Sequence, residues 1–238
     1  MTDERRTQWL AWKTATFGDG YMIWHEGLDV EAVTRLRGAA RKIALEMLRL
    51  GLAHDDEHAA QALSAMRDHR SAPAMRALLA RSHGSTRVRL ALALHFLRRA
   101  PTLARHLIDV LRTPADDPVW SARLDAASGL RHFRGRADEA ALFAAVGDPA
   151  YLVRHHACGS LLHRWGVQRP DLTRYPKILA LVRSPAEDPP DATACAGYDR
   201  ARELLLAIKA RRDTPGALRP RLNSVTPPPQ ARRGGRGA

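Results

Sequence analysis

The chain has 238 residues, of which 45% are hydrophobic, and it carries a formal net charge of +13 at pH 7. That length suffices to bury a real core in one large domain, and the hydrophobic share excludes global disorder. The charge favours acidic partners (nucleic acid, an anionic membrane surface or an acidic protein) and says nothing about fold. Alanine- and arginine-rich chains also become basic through genome composition alone, so charge does not choose among these partners. Abundant Ala and Leu, which cost least in helices, point to an all-α protein.

Residues 1–54 read as an N-terminal helical cap. The first ten, "MTDERRTQWL", are charged and lack an apolar run, so no signal peptide is expected. Residues 7–27 hold three of the five tryptophans together with Phe17 and Tyr21. Asp19-Gly20, a turn signal between short apolar runs, predicts a small hairpin. Asp29 then caps a helix over 29–50, with Leu28, Ala32, Leu36, Ala39, Ile43, Met47 and Leu50 along one face. Arg35, Lys42 and Arg49 recur every seven residues, but Glu31 and Glu46 interrupt them, which marks a solvated face. An atypical terminal repeat that shields its neighbour explains the segment, and an aromatic docking surface is the alternative. His54, Asp55, Asp56, Glu57 and His58 form an acidic turn without a metal cage.

Residues 55–212 repeat. "VRHHACGSLL" (153–162) aligns with "ARLDAASGLR" (122–131) and "VRLALALHFL" (88–97), and more weakly with "DEHAAQALSAM" (56–66). Second helical segments lie between them: "PAMRALLARS" (73–82), "PTLARHLIDVLR" (101–112), "DEAALFAAV" (138–146) and "YPKILALVR" (175–183). A helix–turn–helix unit recurring every 31–34 residues is the signature of a solenoid, in which stacked neighbours bury what one pair cannot. Asp148 and Pro149 look like the N-cap and first residue of a helix, and "ADDP" (115–118) repeats the device. Small residues in one column (Ala59, Ala93, Ala127, Cys158) allow close helix approach. Cys158 and Cys195 give neither a zinc pattern nor a disulfide framework. The longest apolar run, "LALALHFL" (90–97), is too short to span a bilayer, so no membrane partner and a cytoplasmic location are expected.

"DPAYLVRHHACGSLL", "DPVWSARLDAASGL" and "VRLALALHF" resemble the HEAT repeat, specifically the short bacterial PBS-lyase HEAT-like kind, over about residues 55–190. The resemblance implies an all-α, right-handed α-solenoid (an armadillo-type fold) of stacked HEAT-like helix pairs. It also implies a ladder in which the motif Asp and Arg bond across neighbouring repeats, here Asp117, Arg123, Asp148 and Arg154; Arg89 has no matching Asp in "HGST". The Val-Arg helix would line the concave side. Two columns near the helix ends then form a candidate binding surface: Arg98, His132 and His163, and Arg99, Phe133 and Arg164. These cations either complement helix dipoles or form a basic stripe along a groove.

Residues 213–238 hold five prolines, five arginines and one acid, which reads as a disordered tail with a polyproline stretch and an RGG-like patch. Enzymatic signatures are missing: there is no HExxH, CxxC, GxSxG, P-loop or dinucleotide fingerprint, and the adjacent His155 and His156 point to different parts of a helix surface. The iron-binding HEAT-repeat hydroxylases distribute several His-Glu pairs through their repeats, whereas this chain has only His25-Glu26, outside them. No cofactor or metal is expected. The reading is a non-catalytic scaffold for an acidic or helical protein partner. The alternative is a nucleic-acid binder akin to HEAT-like DNA glycosylases, with Phe133 and Asp125 as the aromatic and the acid of its groove. A lyase-like or metal-dependent enzyme ranks third.

Overall fold

A computed structural model describes residues 3–21, 23, 27–113, 120–167, 170–183 and 192–213. Among these residues every regular element is a helix and no strand occurs. The hairpin predicted at Asp19-Gly20 is therefore replaced. Helix α1 (Asp3–Phe17) runs up to Gly18, whose φ of 83° ends it, and residues 20, 21 and 23 are helical again. Trp9 and Phe17 sit eight residues apart on one face and are both buried, a helical spacing that overrides the turn signal.

The helix expected over 29–50 is broken. Asp29 accepts a hydrogen bond from the Glu31 amide (2.9 Å) and starts the short α2 (Glu31–Thr34). The chain turns at Arg37, whose guanidinium donates to the carbonyls of Thr34 (2.8 Å) and Leu36 (2.9 Å). It restarts as α3 (Gly38–Ala53) at Gly38, where φ is 55°. The buried face shifts in part: Met47 and Leu50 point inward as expected and are joined by Ala44, Leu48, Gly51 and Leu52, while Ile43 is 54% exposed. Arg49 leaves the solvated face assigned to it and binds Asp68 through Nε (2.9 Å) and Nη2 (2.7 Å). Helix α1 lies so close to α3 that a Cβ on Gly51 would fall 2.5 Å from the Trp9 ring.

Among the described residues the further α-helices are α4 (Glu57–Ala65), α5 (Ala72–Arg81), α6 (Gly84–Arg98), α7 (Ala104–Leu111), α8 (Trp120–Gly129), α9 (Arg136–Ala145), α10 (Tyr151–Arg164), α11 (Pro176–Arg183) and α12 (Ala192–Asp213). Helix α4 packs on α6, α6 on α8 and α8 on α10, forming one layer. Helices α5, α7 and α9 each pack against the next helix in the chain, and α7 touches α9. Helix α12 packs on α11. The seams of the first layer are made of small residues: Ala59, Ala60, Ala93, Ala126, Ala127, Ala157 and Cys158 are all buried, so the backbones approach closely. Two buried hydroxyls tie neighbouring helices, Ser64 Oγ to the Ala93 carbonyl and Ser160 Oγ to the Ala127 carbonyl, both at 2.7 Å. Burial also pushes the Cys158 thiol up to about 12, so it acts as a packing group. Helix α10 starts at Tyr151, after Pro149; Asp148 instead accepts from the Ala150 amide at 2.8 Å. None of the described helices is long and apolar enough to cross a membrane.

Candidate binding groove

Three of the four residues assigned to the ladder lie among the described residues; Asp117 lies outside them. Arg123 on α8 reaches Asp148 ahead of α10, with Nε on Oδ2 at 2.9 Å, and both side chains are almost wholly buried. Arg154 is fully buried and directs its donors at carbonyls: Nε to Val182 (2.9 Å) and Nη1 to Asp148 (2.7 Å) and Pro149 (2.6 Å). Its guanidinium lies 4.6 Å from the centre of the Tyr198 ring. Arg89 differs. It is half-buried and sits between Glu57 (3.1 Å), His58 (3.2 Å) and Asp125 (3.6 Å), on a different side of its helix.

The six residues assigned to a concave surface separate into two groups. Phe133 is 1% exposed and packs 4.2 Å from the His95 ring, so it belongs to the core. The Arg164 side chain is 4% exposed and is held by the carbonyls of Phe133 and Gly135. Arg98 is exposed, and its Nη2 donates to the His69 carbonyl at 3.1 Å. Arg98 and Arg164 thus satisfy the ends of neighbouring short helices instead of projecting as free cations. His163 is half-buried, with a buried Nδ1 that lacks a partner. Its ring lies 6.3 Å from that of His132, and desolvation first, then Arg131 and Arg134, keep it below its ordinary pKa. Of the six, His132 and Arg99 line the largest of the described cavities.

That cavity is a groove of about 640 Å³ across α4, α6 and α8. Positions i, i+3, i+4 and i+7 of α6 (Arg89, Leu92, Ala93 and Phe96) give it one face of that helix, and Val88 adds to its floor. Phe96 is 46% exposed. Flanking helices contribute Gln61, Ser64 and Ala65 on one side, and Asp125, Ser128 and Gly129 on the other. Arg67 and Arg99, just beyond the C-termini of α4 and α6, line it as well, as do Arg131 and His132 in the 3-10 turn (Leu130–His132) that follows α8. Asp125 is the sole acid among the lining residues and faces Arg89. His132 is kept below its ordinary pKa by desolvation first and then by Arg131 and the other cations around it.

The repeat register of this groove is a constant 32 residues. Gln61, Ala93 and Asp125 line it at that interval, as do Ser64, Phe96 and Ser128, and Arg67, Arg99 and Arg131. Superposing the arginines of the Val-Arg motif instead shifts α6 against α8 by two residues. Each residue turns a helix by about 100°, so two residues swing a side chain to the opposite face. For this reason Arg89 and Arg123 share a column in sequence but face groove and core respectively. Backbone strain marks the same site: Arg67 (φ 58°) and Arg99 (φ 52°) occupy the left-handed region at the ends of α4 and α6. A non-glycine residue costs about 1 kcal/mol there, and helix ends ordinarily place glycine in that conformation. Neither side chain has an acidic partner among the described residues.

The acidic turn holds its own cations. Ligand atoms of Asp56, Glu57 and His58 lie within 4.8 Å of one another. Lys13 Nζ bonds Asp56 (2.6 Å) and contacts His58 (3.2 Å), and Arg89 covers Glu57 and the other His58 nitrogen. Trp9 Nε1 also donates to Asp56 at 3.1 Å. The turn is a latch for α1.

Comparison with protein-family models, with curated proteins and with solved structures finds no match for this chain.

Proposed function

We propose that the chain is a HEAT-like α-solenoid, right-handed, whose inner helices α4, α6, α8 and α10 present a non-catalytic binding groove to an acidic protein partner. The observation that carries this reading is the groove's charge: Arg67, Arg99 and Arg131 line it without an acidic partner among the described residues, while its one acid, Asp125, is paired with Arg89, and Leu92 and Phe96 add apolar surface. Side chains that satisfy the fold, such as Arg123, Arg154 and Arg164, are removed from that tally by their own contacts. A groove both apolar and cationic suits a protein segment that offers carboxylates and hydrophobic side chains together.

Phe96 and Asp125 lining one basic groove are what favours the nucleic-acid reading. Asp125, however, faces Arg89 at 3.6 Å, so its carboxylate is engaged. The test is a tagged pull-down from native lysate with the full chain, run with and without nuclease, beside Arg99→Glu. A discrete protein partner that survives nuclease and is lost in Arg99→Glu supports the scaffold. Recovery of nucleic acid alone, with every protein released by nuclease, overturns it.

A further inference from the structure

We propose that the docking element of the partner is an acidic amphipathic α-helix lying across α4, α6 and α8, with one carboxylate taken by each of Arg67, Arg99 and Arg131 and its apolar stripe seated on Leu92 and Phe96. This rests on the scaffold reading and names the chemistry of its ligand.

The geometry sets the spacing. The three arginines come one per unit from the C-terminal ends of consecutively packed helices. Packed helices lie about 8–10 Å apart, so the backbone positions that carry the three arginines recur at about that interval. On an α-helix, residues seven apart are separated by about 10.5 Å and lie on nearly the same side. Apolar residues three and four positions after each acid form the adjacent stripe, and the groove offers Val88, Leu92, Ala93 and Phe96 beside the arginine row.

Three features set the arginines apart from ordinary surface charge. Arg67 and Arg99 are held in a conformation that favours glycine, and no contact among the described residues uses their side chains. Arg131 is fixed in place, donating Nε to the Ser128 carbonyl (2.7 Å) and Nη2 to Ser128 Oγ (2.8 Å), partners that leave its charge uncompensated. The row also follows the C-termini of α4, α6 and α8, whose partial negative charge the arginines offset.

The same features disfavour a nucleic-acid strand. Phosphate is held best at helix N-termini, and sequence-tolerant strand binding relies on several aromatic platforms, whereas the floor here is mainly aliphatic.

The experiment measures fluorescence anisotropy of the full chain with a labelled alanine-based helical peptide bearing Glu every seventh residue and Leu three and four residues after each Glu. The same peptide with Gln for Glu, and oligothymidine of similar length, are the comparison probes. The acidic peptide is expected to bind at least about ten-fold tighter than either. Arg67→Gly with Arg99→Gly should lose about ten-fold or more of that affinity while the melting temperature stays level or rises, because glycine relaxes both positions. Equal binding of the Gln peptide, tighter binding of oligothymidine, or wild-type affinity in the double variant overturns the proposal. The pull-down separates the two levels. A nuclease-resistant partner captured equally by wild type and double variant sinks this inference and leaves a scaffold, whereas capture of no such partner by either protein sinks the scaffold as well.

Discussion

Phe96 and Phe133 stand near the ends of the adjacent helices α6 and α8 and do opposite things. Phe133 fills the core beside His95, so Phe133→Ala should cost about 3–5 kcal/mol in urea unfolding. Phe96 lies half in solvent on the groove floor, and Phe96→Ala should change stability by no more than about 0.5 kcal/mol while weakening the acidic peptide. The two swap roles if Phe96→Ala is the variant that unfolds. Arg123 poses a sharper test. Asp148→Ala would remove the buried carboxylate that binds this guanidinium at 2.9 Å, a loss of about 3–5 kcal/mol; a loss below about 1 kcal/mol would mean the pair contributes little. The motif arginines were legible in the sequence as repeated residues. Their different destinations were not, because the carbonyls that Arg154 and Arg164 cap belong to turns that no column of the repeat displays.

At the scale of elements, α1 is fastened by a few polar contacts and by the buried Trp9 and Phe17. Burial raises the Asp56 pKa, but hydrogen bonds and charge from His58 and Lys13 outweigh it and hold the carboxyl well below its ordinary range. A carboxyl depressed on folding adds stability above its unfolded pKa of about 3.9, and that stability is lost as pH falls through the folded value. Acid should therefore release α1, visible as exposure of Trp9 to a fluorescence quencher; no change in quenching down to the pH of global unfolding would contradict the latch. Gly51→Ala attacks the same joint without acid, since its new Cβ would overlap the Trp9 ring. It should expose α1 to protease while the later helices stay protected. The helices of 72–183 were legible because their apolar period is strong and turn residues separate them. The break at Arg37 was hidden: one glycine inside a periodic run costs only about 1 kcal/mol and does not by itself end a helix. The groove was hidden by aligning on arginines, when the lining follows an unbroken 32-residue step.

Over the whole molecule, the titrating groups point one way. His106, His132, His155, His156 and His163 all have lowered pKa values, and desolvation is the largest cause for each. A histidine lowered on folding binds fewer protons in the native than in the unfolded chain. Stability is then fully present above the unfolded pKa of about 6.5 and erodes as pH falls below it. Melting curves should shift downward from pH 7 to pH 5, and a flat or rising profile would mean these rings are solvated. The net charge of +13 reinforces that slope, since further protonation adds to self-repulsion. Of residues 213–238, read as a basic tail, Asp213 ends α12 and residues 214–238 lie outside the described residues, so the groove's charge stands on the helical body alone.

The most direct test of the groove is to titrate isotope-labelled full chain with the acidic helical peptide and map the amide and guanidinium shifts by NMR. The account predicts perturbations concentrated at Arg67, Phe96, Arg99, Ser128 and Arg131, with α5, α7 and α9 silent. Shifts spread over other faces, or confined to residues outside α4, α6 and α8 and the turns that follow them, would contradict it.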